Sequence, residues 1–171
     1  MSNQTVAEIW MEEALKEARK ARVLGEVPVG AVLVHQGEIV ARAHNEVETR
    51  RDATRHAEML VIERASKHRG DWRLSDTTLI VTLEPCPMCL GAMLLSRVAN
   101  LYFGCYDPRQ GAVGSVFDIS NHPHLPASIS VHREVLADEC RKELQDFFKD
   151  ARDPKLPASL EDFRMERCPS G

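Results

Sequence analysis

His56-Ala57-Glu58 and Pro85-Cys86-Pro87-Met88-Cys89 are the stretches of this chain whose residue types and spacing can do chemistry. One imidazole and two thiolates suit a zinc ion, and a carboxylate two residues past the imidazole can handle protons beside it. Three protein ligands is the informative count. A structural zinc site closes its tetrahedron with four, whereas a catalytic one leaves the fourth position to water. Cys-x-x-Cys alone also serves as a redox pair or as half of a zinc ribbon. The other cysteines, Cys105, Cys140 and Cys168, form no second Cys-x-x-Cys, which argues against a ribbon. A redox pair accounts for neither His56 nor Glu58. On ligand counting, Cys105 stays open as a fourth ligand that would make the site structural.

The elements that position these residues can be read in order. Thr5-Val6-Ala7-Glu8 has the pattern of a capping box. Val6, Ile9, Trp10, Ala14, Leu15 and Ala18 recur at helical spacing, giving a helix over about 5–24 that stops at Gly25. Val29 to Val34 is a continuous apolar run, as expected of a strand covered on both faces. His35-Gln36-Gly37 is a turn, and Glu38 to Asn45 alternates as a second, antiparallel strand. Glu46 to Arg55 reads as a polar loop whose Arg50, Arg51 and Arg55 bring positive charge toward His56.

His56 opens a second helix, ended by Gly70. Residues two apart do not share a face inside a helix. His56 and Glu58 can therefore reach one pocket only from the first turn, with the pocket at the helix end. Thr77 to Thr82 is β-branched and apolar, hence a central strand. Pro85 to Cys89 turns it into a third helix with Pro87 at the first helical position, which puts both cysteines at an N-terminus favouring thiolates. Val98 to Gly104 is a fourth strand and Cys105 to Ser115 a turn-rich connection. Val116 to Ile119 reads as a short helix, Ile129 to His132 as a fifth strand, and Leu136 to Phe148 as an amphipathic last helix. The alternation implies a three-layer α/β/α domain around a central five-stranded mixed sheet. Residues 1–152 form that single domain, and 153–171 read as a loosely ordered tail.

At 171 residues the chain is long enough for one well-buried core. Hydrophobic residues make up 43% and aromatics 5%, and no apolar run approaches a membrane span. Five cysteines without an export signal point to a reducing, cytoplasmic setting. A formal charge of −4 speaks against wholesale duplex binding and leaves room for a local basic patch.

A zinc ion with one neutral His and two thiolates has a first-shell charge near zero. Its water is then less acidified than the pKa of about 7 reached at a tris-histidine site, so a nearby base is needed. Glu58 fills that role: it takes a proton as water attacks an amidine-like carbon and returns protons to the ring nitrogen and the leaving amine. His-x-Glu and Pro-Cys-x-x-Cys together resemble the cytidine-deaminase-like zinc deaminases. Gly25 to Ala31, Asn45, Phe103 to Asp107 and Gly111 to Ser115 are similar to the bacterial tRNA-specific adenosine deaminase family, from the first helix to Phe148.

That resemblance implies conversion of the wobble adenosine of a tRNA anticodon stem-loop to inosine, by a homodimer with one zinc per subunit. It implies zinc on His56, Cys86 and Cys89 and proton transfer by Glu58. It also implies a base-binding role for Asn45, pocket walls from Val27 and Leu83, a backbone contact from Asp107, and Phe148 near the anticodon loop or in plain packing. The dimer interface is expected near Met93 to Leu95. The sequence departs from the family pattern at Pro126-Ala127-Ser128, where Asn-His is common, and at Cys105, where a smaller residue is frequent.

Two rival readings stand beside it. A free-base or nucleoside deaminase, acting on guanine, cytosine or cytidine, would share the zinc and Glu58 but need no RNA-facing surface. Arg50, Arg51, Arg55, Arg109, Lys149 and Arg152 favour RNA. A non-catalytic RNA-binding partner would keep zinc for structure, and an intact Glu58 argues against it.

Overall fold

The computed structural model describes residues 4–125 and 127–151. The expected tail, Arg152 and Pro126 lie outside the described residues. Helix α1 spans Val6–Val23 and begins on the expected reciprocal cap: the Thr5 hydroxyl accepts the Glu8 N–H at 3.3 Å, and the Glu8 carboxylate accepts the Thr5 N–H at 2.7 Å. Strands β1 (Gly30–His35) and β2 (Glu38–His44) follow as a hairpin. Its two-residue turn places Gln36 at φ 50° and Gly37 at φ 84°, the paired positive angles that match strand twist. Then come α2 (Val47–Arg50), α3 (Ala57–Arg69), β3 (Thr77–Leu83), α4 (Pro87–Leu95), β4 (Asn100–Cys105), β5 (Ser130–His132) and α5 (Ala137–Asp150).

The sheet order is β2-β1-β3-β4-β5. β1 runs antiparallel to both β2 and β3, while β3, β4 and β5 are parallel, which gives the expected mixed five-stranded sheet. Successive side chains of a strand point to opposite faces. Ala31, Leu33, Leu79, Val81, Leu101 and Phe103 accordingly pack with Leu60 and Val61 of α3 and Leu90 and Met93 of α4. Val32, Val34 and Ile80 pack on the other face with Met11 and Leu15 of α1 and Cys140 of α5. The result is three layers, with α3 and α4 sharing one face.

The structure changes two local expectations. Val116 to Ile119 is not a helix: Val113 pairs with Asp118 in an antiparallel bridge, and the Gly114 N–H donates to the Phe117 carbonyl at 2.8 Å. Nothing offsets the nucleation cost of so short a helix here, because the local N–H groups have other acceptors, among them the Gly111 carbonyl for Val116 and Phe117. The polar stretch from Glu46 contains a turn of helix, α2, because the buried Glu26 carboxylate accepts the N–H groups of Glu48 at 3.2 Å and Thr49 at 2.7 Å.

Candidate active site

Two helix N-termini meet at the site. His56 is the N-cap of α3 and Cys86 the N-cap of α4, both with extended backbone, and Pro87 takes the first helical position. Glu58 lies in the first turn of α3, as joint access to one pocket requires. His56 Nδ1 stands 3.7 Å from Cys86 Sγ and 3.5 Å from Cys89 Sγ, and the three donor atoms lie within 4.8 Å of one another. A tetrahedral zinc with ordinary Zn–N and Zn–S bonds separates nitrogen from sulfur by roughly 3.6 Å. The donor set fits that ion. Cys105 is not part of it: its thiol reaches the Thr82 carbonyl at 3.6 Å and packs in the core facing α1 and α5, and burial pushes it up to about 11.

The electrostatics are those of a cation site. A hydrogen bond from Cys89, aided by His56 and opposed by burial, holds the Cys86 thiol down at about 4. The Cys89 thiol is raised by that same hydrogen bond and by burial. His56 is raised chiefly by its hydrogen bond to Cys86. Burial pushes the Glu58 carboxyl up to about 7, against the hydrogen bond from its own backbone and the charge of His56. A group with that affinity can both accept and return a proton near neutrality.

A cavity of about 190 Å³ opens in front of this cluster, lined by His56, Glu58 and Cys86 together with Val27, Asn45, Leu83 and Asp107. Of the site residues expected from the sequence, all but Phe148 line this cavity or, in the case of Cys89, belong to the donor cluster that borders it. Asn45 Oδ1 accepts the Ala57 N–H at 2.9 Å, which fixes the amide and leaves Nδ2 as a donor for a ligand. Asp107 Oδ1 accepts the Arg109 N–H at 2.9 Å. Val27, Leu83, Asp107 and Gln110 also line a larger groove of about 640 Å³ that runs out to Arg109, Arg141, Phe148 and Lys149. Phe148 stacks edge-on against Phe147, 5.3 Å between centroids, and borders only this groove.

The basic stretch before His56 offers less free charge than its composition suggests. Arg50 pairs with Glu46, and Arg55 with Asp52 at 2.9 Å and Glu63 at 3.1 Å. Among the polar residues that line the cavity, Glu26, Glu48, Glu84 and Gln110 were given no role from the sequence. Glu26 and Glu84 carried a readable signal, a carboxylate in a largely apolar stretch close to a proline, Glu26 two residues before Pro28 and Glu84 directly before Pro85.

Fold and site together define a zinc-dependent deaminase. Residues 4–105 match the cytidine and deoxycytidylate deaminase zinc-binding region. The chain is 49% identical over 154 residues to the tRNA-specific adenosine deaminase of Bacillus subtilis (strain 168), covering 90% of this chain and 96% of that protein. A solved structure from studies of A-to-I editing by tRNA:A34 deaminases at the wobble position superposes with a TM-score of 0.77 at 40% identity, over 80% of this chain and 99% of that one. This chain belongs to the tRNA-specific adenosine deaminase family within that class. The guanine deaminase of Nitrosomonas europaea, 24% identical with a TM-score of 0.69 over 82% of this chain and 83% of its own, shares the fold.

Proposed function

We propose that this enzyme hydrolyses adenosine to inosine at the wobble position of a tRNA anticodon, acting as a cytoplasmic homodimer. The observation that carries the chemistry is the buried Glu58 carboxylate beside a three-donor cluster at the floor of a cavity. The names of the Bacillus subtilis relative and of the A34 deaminase structure support the substrate. Residues 1–152 are read as one deaminase domain. No helix among the described residues is long and apolar enough to cross a membrane. Four described cysteines are free, in keeping with a reducing compartment that holds tRNA.

His56, Cys86 and Cys89 hold the zinc, which when bound supplies Lewis acidity and a water of lowered pKa. The chain's own groups do the rest. Asn45 donates from Nδ2 to the flipped base and fixes its plane, while Val27 and Leu83 supply apolar walls that exclude bulk water. Glu58 accepts a proton from the attacking water as a C–O bond forms at C6. It delivers that proton to N1, then takes the proton of the new C6 hydroxyl and passes it to the amino nitrogen, and the C6–N bond breaks as the C6 carbonyl forms, releasing ammonia. Adenosine and water become inosine and ammonia, and the carboxylate ends as it began. Asp107 lies at the junction of cavity and groove, where the sugar–phosphate strand of a flipped nucleotide must pass.

The test is inosine formation in an anticodon stem-loop, with free adenosine, cytidine and guanine as controls. Turnover of the stem-loop well above the controls is expected. Preferential turnover of a free base or nucleoside would overturn the substrate assignment.

A further inference from the structure

Glu84 directly follows β3, immediately before the metal-ligand turn, and is 2% exposed. Its carboxylate does not face the cavity as a free acid. Oε2 accepts the Asp107 N–H at 3.0 Å and the Ser115 hydroxyl, while Oε1 accepts the N–H groups of Val113 at 2.9 Å and Ser115 at 3.1 Å. All four donors belong to residues 107–115, the segment that leaves β4 and enters the Val113–Asp118 bridge. Backbone bonds reinforce the attachment, from the Glu84 N–H to the Cys105 carbonyl at 2.8 Å and from the Ala112 N–H to the Pro85 carbonyl at 2.9 Å. Gly111 makes room for this arrangement. A Cβ there would overlap the Glu84 carboxylate and come within 2.7 Å of the Asp107 carbonyl oxygen.

We propose that Glu84 is a positioning residue: its buried carboxylate fixes the 105–115 loop relative to Cys86, two residues away, and so sets where the RNA strand sits with respect to the reacting base. The inference rests on the RNA reading of the substrate. Its physical basis is that Asp107, Arg109 and Gln110 border the cavity or the groove on a loop whose buried apolar side chains, Ala112 and Val113, lie beyond them toward the bridge. The Glu84 carboxylate is the acceptor for three backbone N–H groups and one hydroxyl of this loop, so the loop keeps this shape only while those donors are accepted. A buried N–H left unpaired is costly enough that the loop rearranges instead. Glu84 touches no reacting atom, so its loss acts mainly on how the substrate is seated, and the chemical step changes less.

The experiment compares zinc-loaded wild type with Glu84→Gln, Gly111→Ala, their double variant, and Ser115→Ala. Glutamine turns one acceptor oxygen into a donor that faces N–H groups. Zinc content should stay near wild type. Amide exchange at Asp107, Val113 and Ser115 should accelerate by about tenfold or more, while β1 and β3 stay protected. KM for the anticodon stem-loop should rise roughly ten- to a hundredfold with a smaller change in kcat. The double variant should lose no more than the worse single one, because both act through one contact. Ser115→Ala removes a single donor and should move both readouts the same way by less. It decides the matter if Glu84→Gln does not fold. Unchanged KM in folded variants whose loop amides exchange faster would overturn the proposal, as would losses that track only zinc content or global unfolding. A wild type that makes no inosine would instead sink the RNA reading, and this inference with it.

Discussion

Glu58 is the residue on which turnover should depend most. It is buried, its carboxyl is pushed up to about 7 by burial, and it sits one helical turn's start from His56. Glu58→Gln keeps the side chain's shape and removes the proton carrier. The expected result is a folded, zinc-loaded protein whose kcat falls by roughly 10²–10⁴, checked by metal analysis alongside inosine formation. Asp107 presents a subtler case. One oxygen accepts the Arg109 N–H, an acceptor that asparagine retains, so Asp107→Asn should leave the loop standing. What changes is the charge. A carboxylate near phosphates is repelled unless it accepts a hydrogen bond, and a ribose 2′-hydroxyl is a donor that DNA lacks. Asp107→Asn should therefore narrow the preference for an RNA stem-loop over the matched all-DNA one, measured at one fixed salt concentration. An unchanged ratio would confine Asp107 to shaping its loop.

Among the elements, α1 depends on a close approach. At Gly30 a Cβ would overlap the Ala14 carbonyl oxygen and the Ala18 nitrogen, both backbone atoms of α1, so the helix lies directly on β1. Gly30→Ala must push α1 off the sheet and should cost at least the roughly 1–3 kcal/mol of an overpacked core. Denaturant unfolding at constant zinc measures it, and a loss below about 0.5 kcal/mol would show that the helix shifts without strain. Elements with local signals were legible in the sequence. The Thr5–Glu8 cap, the Gln36-Gly37 turn, Pro87 after the N-cap Cys86, and the continuous apolar or β-branched runs of β1 and β3 each carry their own instruction. The zinc donors were legible for the same reason, being fixed by two helix starts. Helix α2 and the Val113–Asp118 bridge were not. Their N–H groups are satisfied by Glu26 and Glu84, which lie 22 or more residues away, and no local pattern announces such a partner. The strand order was hidden as well, because it follows from which faces α3 and α4 must share.

At the scale of the whole molecule, α4 is the element left incomplete. Met93 is fully buried, so the interface expected near it cannot use that side chain. The face turned outward carries Met88, Gly91, Ala92 and Leu95, spaced at i, i+3, i+4 and i+7, with Leu95 72% exposed. An apolar stripe of this kind fits a second copy, and Leu95→Glu should shift a homodimer toward monomer in sedimentation at micromolar concentration. A wild type that sediments as a monomer would defeat the dimer itself. Charge gives the last prediction. The net −4 offers RNA little long-range attraction, and the arginines before His56 are largely paired with carboxylates. The groove leading to the cavity retains Arg109, Arg141 and Lys149, of which Arg141 already pairs with Asp138 at 2.5 Å. Each phosphate neutralised contributes about −0.7 to the slope of log K against log salt for a single strand, so three such cations give a slope of about −2. Binding of an anticodon stem-loop to Glu58→Gln protein, followed across salt concentrations without turnover, should show that shallow dependence. Arg109→Ala should reduce the slope by a little under one. A slope steeper than about −5 would mean that cations well beyond this groove engage the RNA, and the strand would then have to be routed across another face.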